Sequence, residues 1–173
     1  MSEPHVIRCY QYVNAPYARV RDALRGDPLG VFQRATTAAG TRAKALVTSL
    51  RVSIGSLEVG TDAVICVREI VEDAPAGRGL LSQGRTRLSL EWQAAKASSL
   101  FPAMHAELSV YPLSAEETQL DFLGRYAPPL GLFGEVADAL VGHRIAEACV
   151  HRFVEDVATR LRQELVVPRS VHA

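Results

Sequence analysis

The stretch from Leu132 to Leu165, LFGEVADALVGHRIAEACVHRFVEDVATRLRQEL, decides the fold. Within it Val136, Leu140, His143, Val150, Val154, Val157 and Leu161 recur at three- and four-residue steps, the pattern of one amphipathic helix. Its other face is polar, with Arg152 and Asp156, then Asp156 and Arg160, at i,i+4 spacing. At 1.5 Å per residue such a helix spans roughly 50 Å, more than the width of a small domain, so it must run along whatever the rest of the chain builds. Pro168 closes it, and residues 168–173 read as a loose tail.

Upstream of this helix the apolar period falls to two. Leu88, Leu90, Trp92 and Ala94 alternate with Arg87, Ser89, Glu91 and Gln93, and Met104, Ala106, Leu108 and Val110 alternate with His105, Glu107, Ser109 and Tyr111. Leu120, Phe122, Gly124 and Tyr126 repeat the pattern. Further upstream, Leu46, Leu50, Val52 and Ile54 mark one face of an earlier strand. Asp62 to Val71 is apolar on both faces, which leaves its inward side open between Arg68 and Glu69. Connections this short make the strands antiparallel. Residues Val6 to Val13 give a first strand, and two short helices follow it. One is capped by Asn14 and stopped at Gly26, and the other runs from about Leu29 to Thr37. The expected fold is α+β: a curved antiparallel sheet of six to seven strands wrapped around the long C-terminal helix.

The chain's 173 residues suit a single domain, expected over 1–167. Nineteen Lys and Arg balance nineteen Asp and Glu, so no net field draws in phosphate backbones, and nucleic-acid binding is not expected. No uninterrupted apolar run reaches 18 residues, and Met1 to Val13 has no secretory apolar core, so the expectation is a cytoplasmic protein without a membrane span. Cys9, Cys66 and Cys149 are widely spaced and lack a CxxC pair, which points to neither a disulfide framework nor a zinc site. Nucleotide loops of the GxGxxG or GxxxxGK[ST] type, GxSxG elbows and HExxH motifs are missing, and no cofactor is implied.

A twisted sheet does not close tightly over one cylinder along its whole length, so a cavity is expected between them, with small residues such as Ala106 and Gly124 enlarging it. Its candidate lining is Leu50, Val52, Arg68, Trp92, Met104, Leu108, Phe122, Tyr126, His143, Val150, Val154 and Val157. An inward Arg68 would need an anionic partner such as a ligand carboxylate. His143 interrupts the apolar stripe, either as a buried imidazole bonded to a carbonyl or as a group that meets the ligand. Tyr126 offers a hydroxyl on the same face as Phe122. His143, Glu147 and His151 stand at i, i+4 and i+8, which spreads the outer two about 12 Å apart, too far to share one ion.

Val13-Asn14-Ala15-Pro16 followed by Val20, Leu24 and Asp27 resembles the opening of the START-like (SRPBCC) superfamily. Gly124, Tyr126, Pro128, Pro129 and Gly131 ahead of a helix with Asp138, His143 and Arg144 resemble an uncharacterised bacterial branch related to polyketide cyclases and lipid-transfer proteins. The resemblance implies a helix-grip fold and a hydrophobic small-molecule partner: a lipid, an isoprenoid or a polyketide. Where members often carry an aromatic after the valine of the first helix, this chain has Arg21, and no cyclase catalytic residue matches position by position. Binding is therefore the leading expectation. A cyclase or dehydratase using His143 or Tyr126 is one alternative, and a protein-interaction module without ligand is another.

Overall fold

A computed structural model describes residues 4–49, 63–75, 84–94, 103–126 and 136–166. Eight elements follow in order: β1 (His5–Val13), α1 (Tyr17–Gly26), α2 (Pro28–Ser49), β2 (Ala63–Asp73), β3 (Arg85–Ala94), β4 (Met104–Pro112), β5 (Thr118–Tyr126) and α3 (Val136–Val166). The long terminal helix and the alternating strands are thus where the sequence pattern put them. Among the described residues the sheet has five antiparallel strands in the order β1-β5-β4-β3-β2, against the six to seven expected.

The earliest meander strand was expected over residues 43–54. Of the stretch where further strands were expected, residues 43–49 belong to α2 and residues 50–62 lie outside the described region. Leu46 and Leu50 are four apart and therefore fit a helical period as well as a strand period. Thr36 and Thr37, expected to end the helix, instead return their hydroxyls to the carbonyls of Phe32 and Gln33 at 2.8 and 3.1 Å. The start of α2 is well built. Asp27 receives the Gly30 amide at 2.9 Å, and Pro28 occupies the first turn, where its missing N–H costs nothing. Asn14 does not cap α1; Pro16 stands at that position, and its carbonyl receives the amides of Arg19 and Val20.

The inner face of the sheet carries two helices. A single cylinder in a curved palm was expected, yet α3 lies against β1 while α2 lies beside it against β2. The seam between them is aromatic. Phe153 of α3 stacks on Phe32 of α2 at 6.0 Å between ring centroids and meets Trp92 edge-on at 4.7 Å and Phe122 at 5.9 Å. Trp92 and Phe122 stack at 5.6 Å. Each ring is essentially removed from water, and burial of a side chain this large contributes about 1.5–3 kcal/mol. At the far end the Tyr17 hydroxyl bonds that of Thr86 at 2.7 Å, which joins α1 to β3, and the Arg19 guanidinium donates to the last-turn carbonyl of Leu165. No helix among the described residues is long and apolar enough to cross a membrane.

Candidate functional site

Toward one end of the sheet the apolar interface gives way to a polar one. β1 begins there and β5 ends there, because their register sets His5 opposite Tyr126. β4 begins on the other side of the same row, with Met104 opposite Tyr126. From α3, His143 reaches the same place: its Nδ1 lies 2.8 Å from the Tyr126 hydroxyl. The Tyr126 and His143 rings are nearly parallel at 6.3 Å between centroids, and the His5 ring lies 5.4 Å from the first and 5.7 Å from the second. Tyr126 is buried, whereas His143 and His5 are half-buried.

The electrostatics of this pair follow from its surroundings. Burial, and then the negative charge of Glu147 one turn beyond His143, push the Tyr126 phenol up to about 12, so it keeps its proton throughout the neutral range. A neutral imidazole leaves the bond two forms. In one the phenol donates to Nδ1, and Nε2–H remains available as a donor with a phenol lone pair as acceptor. In the other Nδ1–H donates to the phenol oxygen, leaving Oη–H as donor and Nε2 as acceptor. Either way the pair presents one donor and one acceptor at the edge of an apolar core.

Behind the pair the site is tightly floored. A Cβ at Gly124, the inward residue between Phe122 and Tyr126, would meet the Met104 sulfur at 2.6 Å and the Phe122 ring at 2.9 Å. Contrary to expectation, the missing side chain at Gly124 does not enlarge a cavity; the Met104 thioether and the Phe122 ring occupy that space. Trp92, Met104, Leu108, Phe122, Val150, Val154 and Val157 are all buried in one continuous core. Leu50 and Val52 lie outside the described residues.

Arg68 is displaced from the expected site. A β-bulge between Val67 and Glu69 adds a residue to β2, so Ile65, Val67 and Ile70 turn toward the core while Arg68 and Glu69 are both exposed. Arg68 Nε lies 2.5 Å from Glu91 on the outer face. No carboxylate-binding guanidinium reaches the interior from this strand.

His151 is exposed, and among the described residues no three His, Cys, Asp or Glu side chains gather as a metal site would require. His143 bonds a phenol rather than the carbonyl that the simpler reading gave it. His5 is the member that sequence reasoning missed, since only the β1–β5 register brings it beside Tyr126. The outer face of the sheet carries a separate open depression of about 250 Å³. Its polar walls are already internally paired: Arg8 grips Asp121 through two bonds of 3.1 and 2.7 Å, and the Arg85 guanidinium lies over Tyr111 at 4.9 Å.

No family model matches the chain, and no curated protein matches it by sequence. Solved structures do resemble it. The Zhui aromatase/cyclase from a Streptomyces strain is 16% identical, with 95% of this chain and 97% of that one covered at a TM-score of 0.46. A START superfamily protein from Mycobacterium smegmatis is 11% identical, with 92% and 99% covered at a TM-score of 0.47. Norcoclaurine synthase from Thalictrum flavum is 10% identical, with 92% and 87% covered at a TM-score of 0.41. A START superfamily protein and an aromatase/cyclase are thus among the solved structures that resemble this chain.

Proposed function

We propose that the chain binds a hydrophobic small molecule at the end of the sheet–α3 interface marked by His5, Tyr126 and His143. The observation that carries this reading is the hydrogen bond between buried Tyr126 and half-buried His143, set where an otherwise apolar core ends. A site of this composition gains affinity from apolar burial and orientation from a few polar groups. An aromatic bicycle burying about 200 Å² gains about 5 kcal/mol before the cost of association, so the pair has to decide pose rather than supply affinity. Native mass spectrometry of the protein purified without detergent tests the reading. An adduct that organic extraction releases is the expected result. A spectrum at the bare sequence mass, with no added apolar compound retained after incubation, would overturn it.

The same bond favours a second reading, acid–base catalysis of a cyclisation or dehydration. A protonated phenol 2.8 Å from an imidazole is a donor and an acceptor held ready for proton transfer. Under this reading any turnover falls by about 10²-fold or more in both Tyr126→Phe and His143→Gln. No turnover in the unaltered protein, or turnover unchanged in both variants, would overturn this second reading.

A further inference from the structure

The ligand's polar end can be specified further from what faces the pair. We infer that the site takes an uncharged hydroxyl, alcoholic, phenolic or enolic, and discriminates against a carboxylate; this rests on the binding reading above. Tyr126 and His143 offer one donor and one acceptor in either form of their bond. A hydroxyl answers whichever of the two it meets, since it donates one proton and accepts through its lone pairs. A carboxylate only accepts, so it can meet the donor end alone and is repelled at the acceptor end.

The surrounding charges act in the same direction. Glu147 is near enough for its charge to reach the Tyr126 phenol, so an anion bound there meets a like charge. The guanidinium that the sequence suggested as counter-ion is on the outer face with Glu91. Among the described strand residues no arginine or lysine stands at an inward position; Arg8 and Arg87 hold Asp121 and Asp73 on the outer face. Arg144, next to His143 on α3, is exposed, and one residue along a helix is about 100° around its axis. A carboxylate entering this end would lose its water without gaining an arginine or lysine from the described strands, which is the costly way to bury a charge.

Calorimetric titration near neutral pH with three probes of one bicyclic frame tests the inference: naphthalene, 2-naphthol and 2-naphthoate. The expected result is that 2-naphthol binds at least about tenfold tighter than 2-naphthoate. In Tyr126→Phe, which keeps the ring and therefore the packing, the preference for 2-naphthol over naphthalene should weaken, and in Tyr126→Phe/His143→Leu, which removes both polar ends, it should vanish. Binding of naphthalene with 2-naphthoate equal to or tighter than 2-naphthol would overturn the discrimination and leave the hydrophobic site standing. A preference for 2-naphthol that survives in Tyr126→Phe/His143→Leu would remove the pair from its cause. No binding of any of the three would overturn the binding reading and this inference with it.

Discussion

Along α3 one helix meets the sheet in two ways. From Ile145 to Leu161 its inward residues are buried and apolar, with Phe153 locked among Phe32, Trp92 and Phe122. Less than three turns toward the N-terminus, His143 is half-buried and bonded to a phenol. The difference separates stability from recognition. A close-packed aromatic seam forgives no change of volume, whereas a polar pair at the boundary contributes about 1 kcal/mol to folding and keeps hydrogen-bonding capacity for something else.

The largest effect should come from breaking the seam. Phe153→Ala removes a ring that touches three others across both helices and two strands, and should cost about 3–5 kcal/mol in urea unfolding. A loss under about 1 kcal/mol would mean that the two halves of α3 are packed alike after all. Gly124→Ala probes the boundary between the two regions. Its added methyl meets the Met104 sulfur and the Phe122 ring inside contact distance, so it should cost about 1–3 kcal/mol. A neutral or stabilising result would reveal free space behind Tyr126.

A smaller effect should appear only in alkali. Burial pushes the Cys9 thiol up to about 12, with Asp121 adding to it, and burial followed by Glu147 does the same for the Tyr126 phenol. Both protons are held more tightly in the fold than at the ordinary values of 9.0 and 10.0, so their stabilisation is complete below those values. It is lost as the pH rises through about 12. Urea midpoints should therefore fall over this window. In Tyr126→Phe the fall should be shallower, while stability at neutral pH changes by about 1 kcal/mol. An equally steep fall in the variant would put the phenol in water.

What the sequence made legible follows from how local each signal is. The periods of α3, β3, β4 and β5 are carried by consecutive residues, so Trp92, Met104, Phe122, Tyr126 and His143 were assigned to the inner face correctly. The end of α2 was not legible, because the Leu46/Leu50 spacing serves both periods and because threonine hydroxyls can bond back into a helix. His5 became a neighbour of Tyr126 through strand register, which no spacing within β1 announces. The packing of two helices side by side was equally hidden, since it depends on contacts between segments far apart in sequence.

Arg68 gives the smallest effect and the sharpest contrast between the faces of the sheet. Alternation alone allowed it to point inward and hold an anion; the bulge at Val67/Glu69 turns it outward beside Glu91, with 57% of its side chain exposed. Exposed ion pairs contribute about 0–1 kcal/mol, because water screens the charges and two long side chains must be held still. Arg68→Gln should therefore shift urea stability by less than about 0.5 kcal/mol and leave the affinities for 2-naphthol and 2-naphthoate unchanged. A selective loss of 2-naphthoate binding in this variant would bring the guanidinium back to the ligand and give the inner face the cation that its described strands lack.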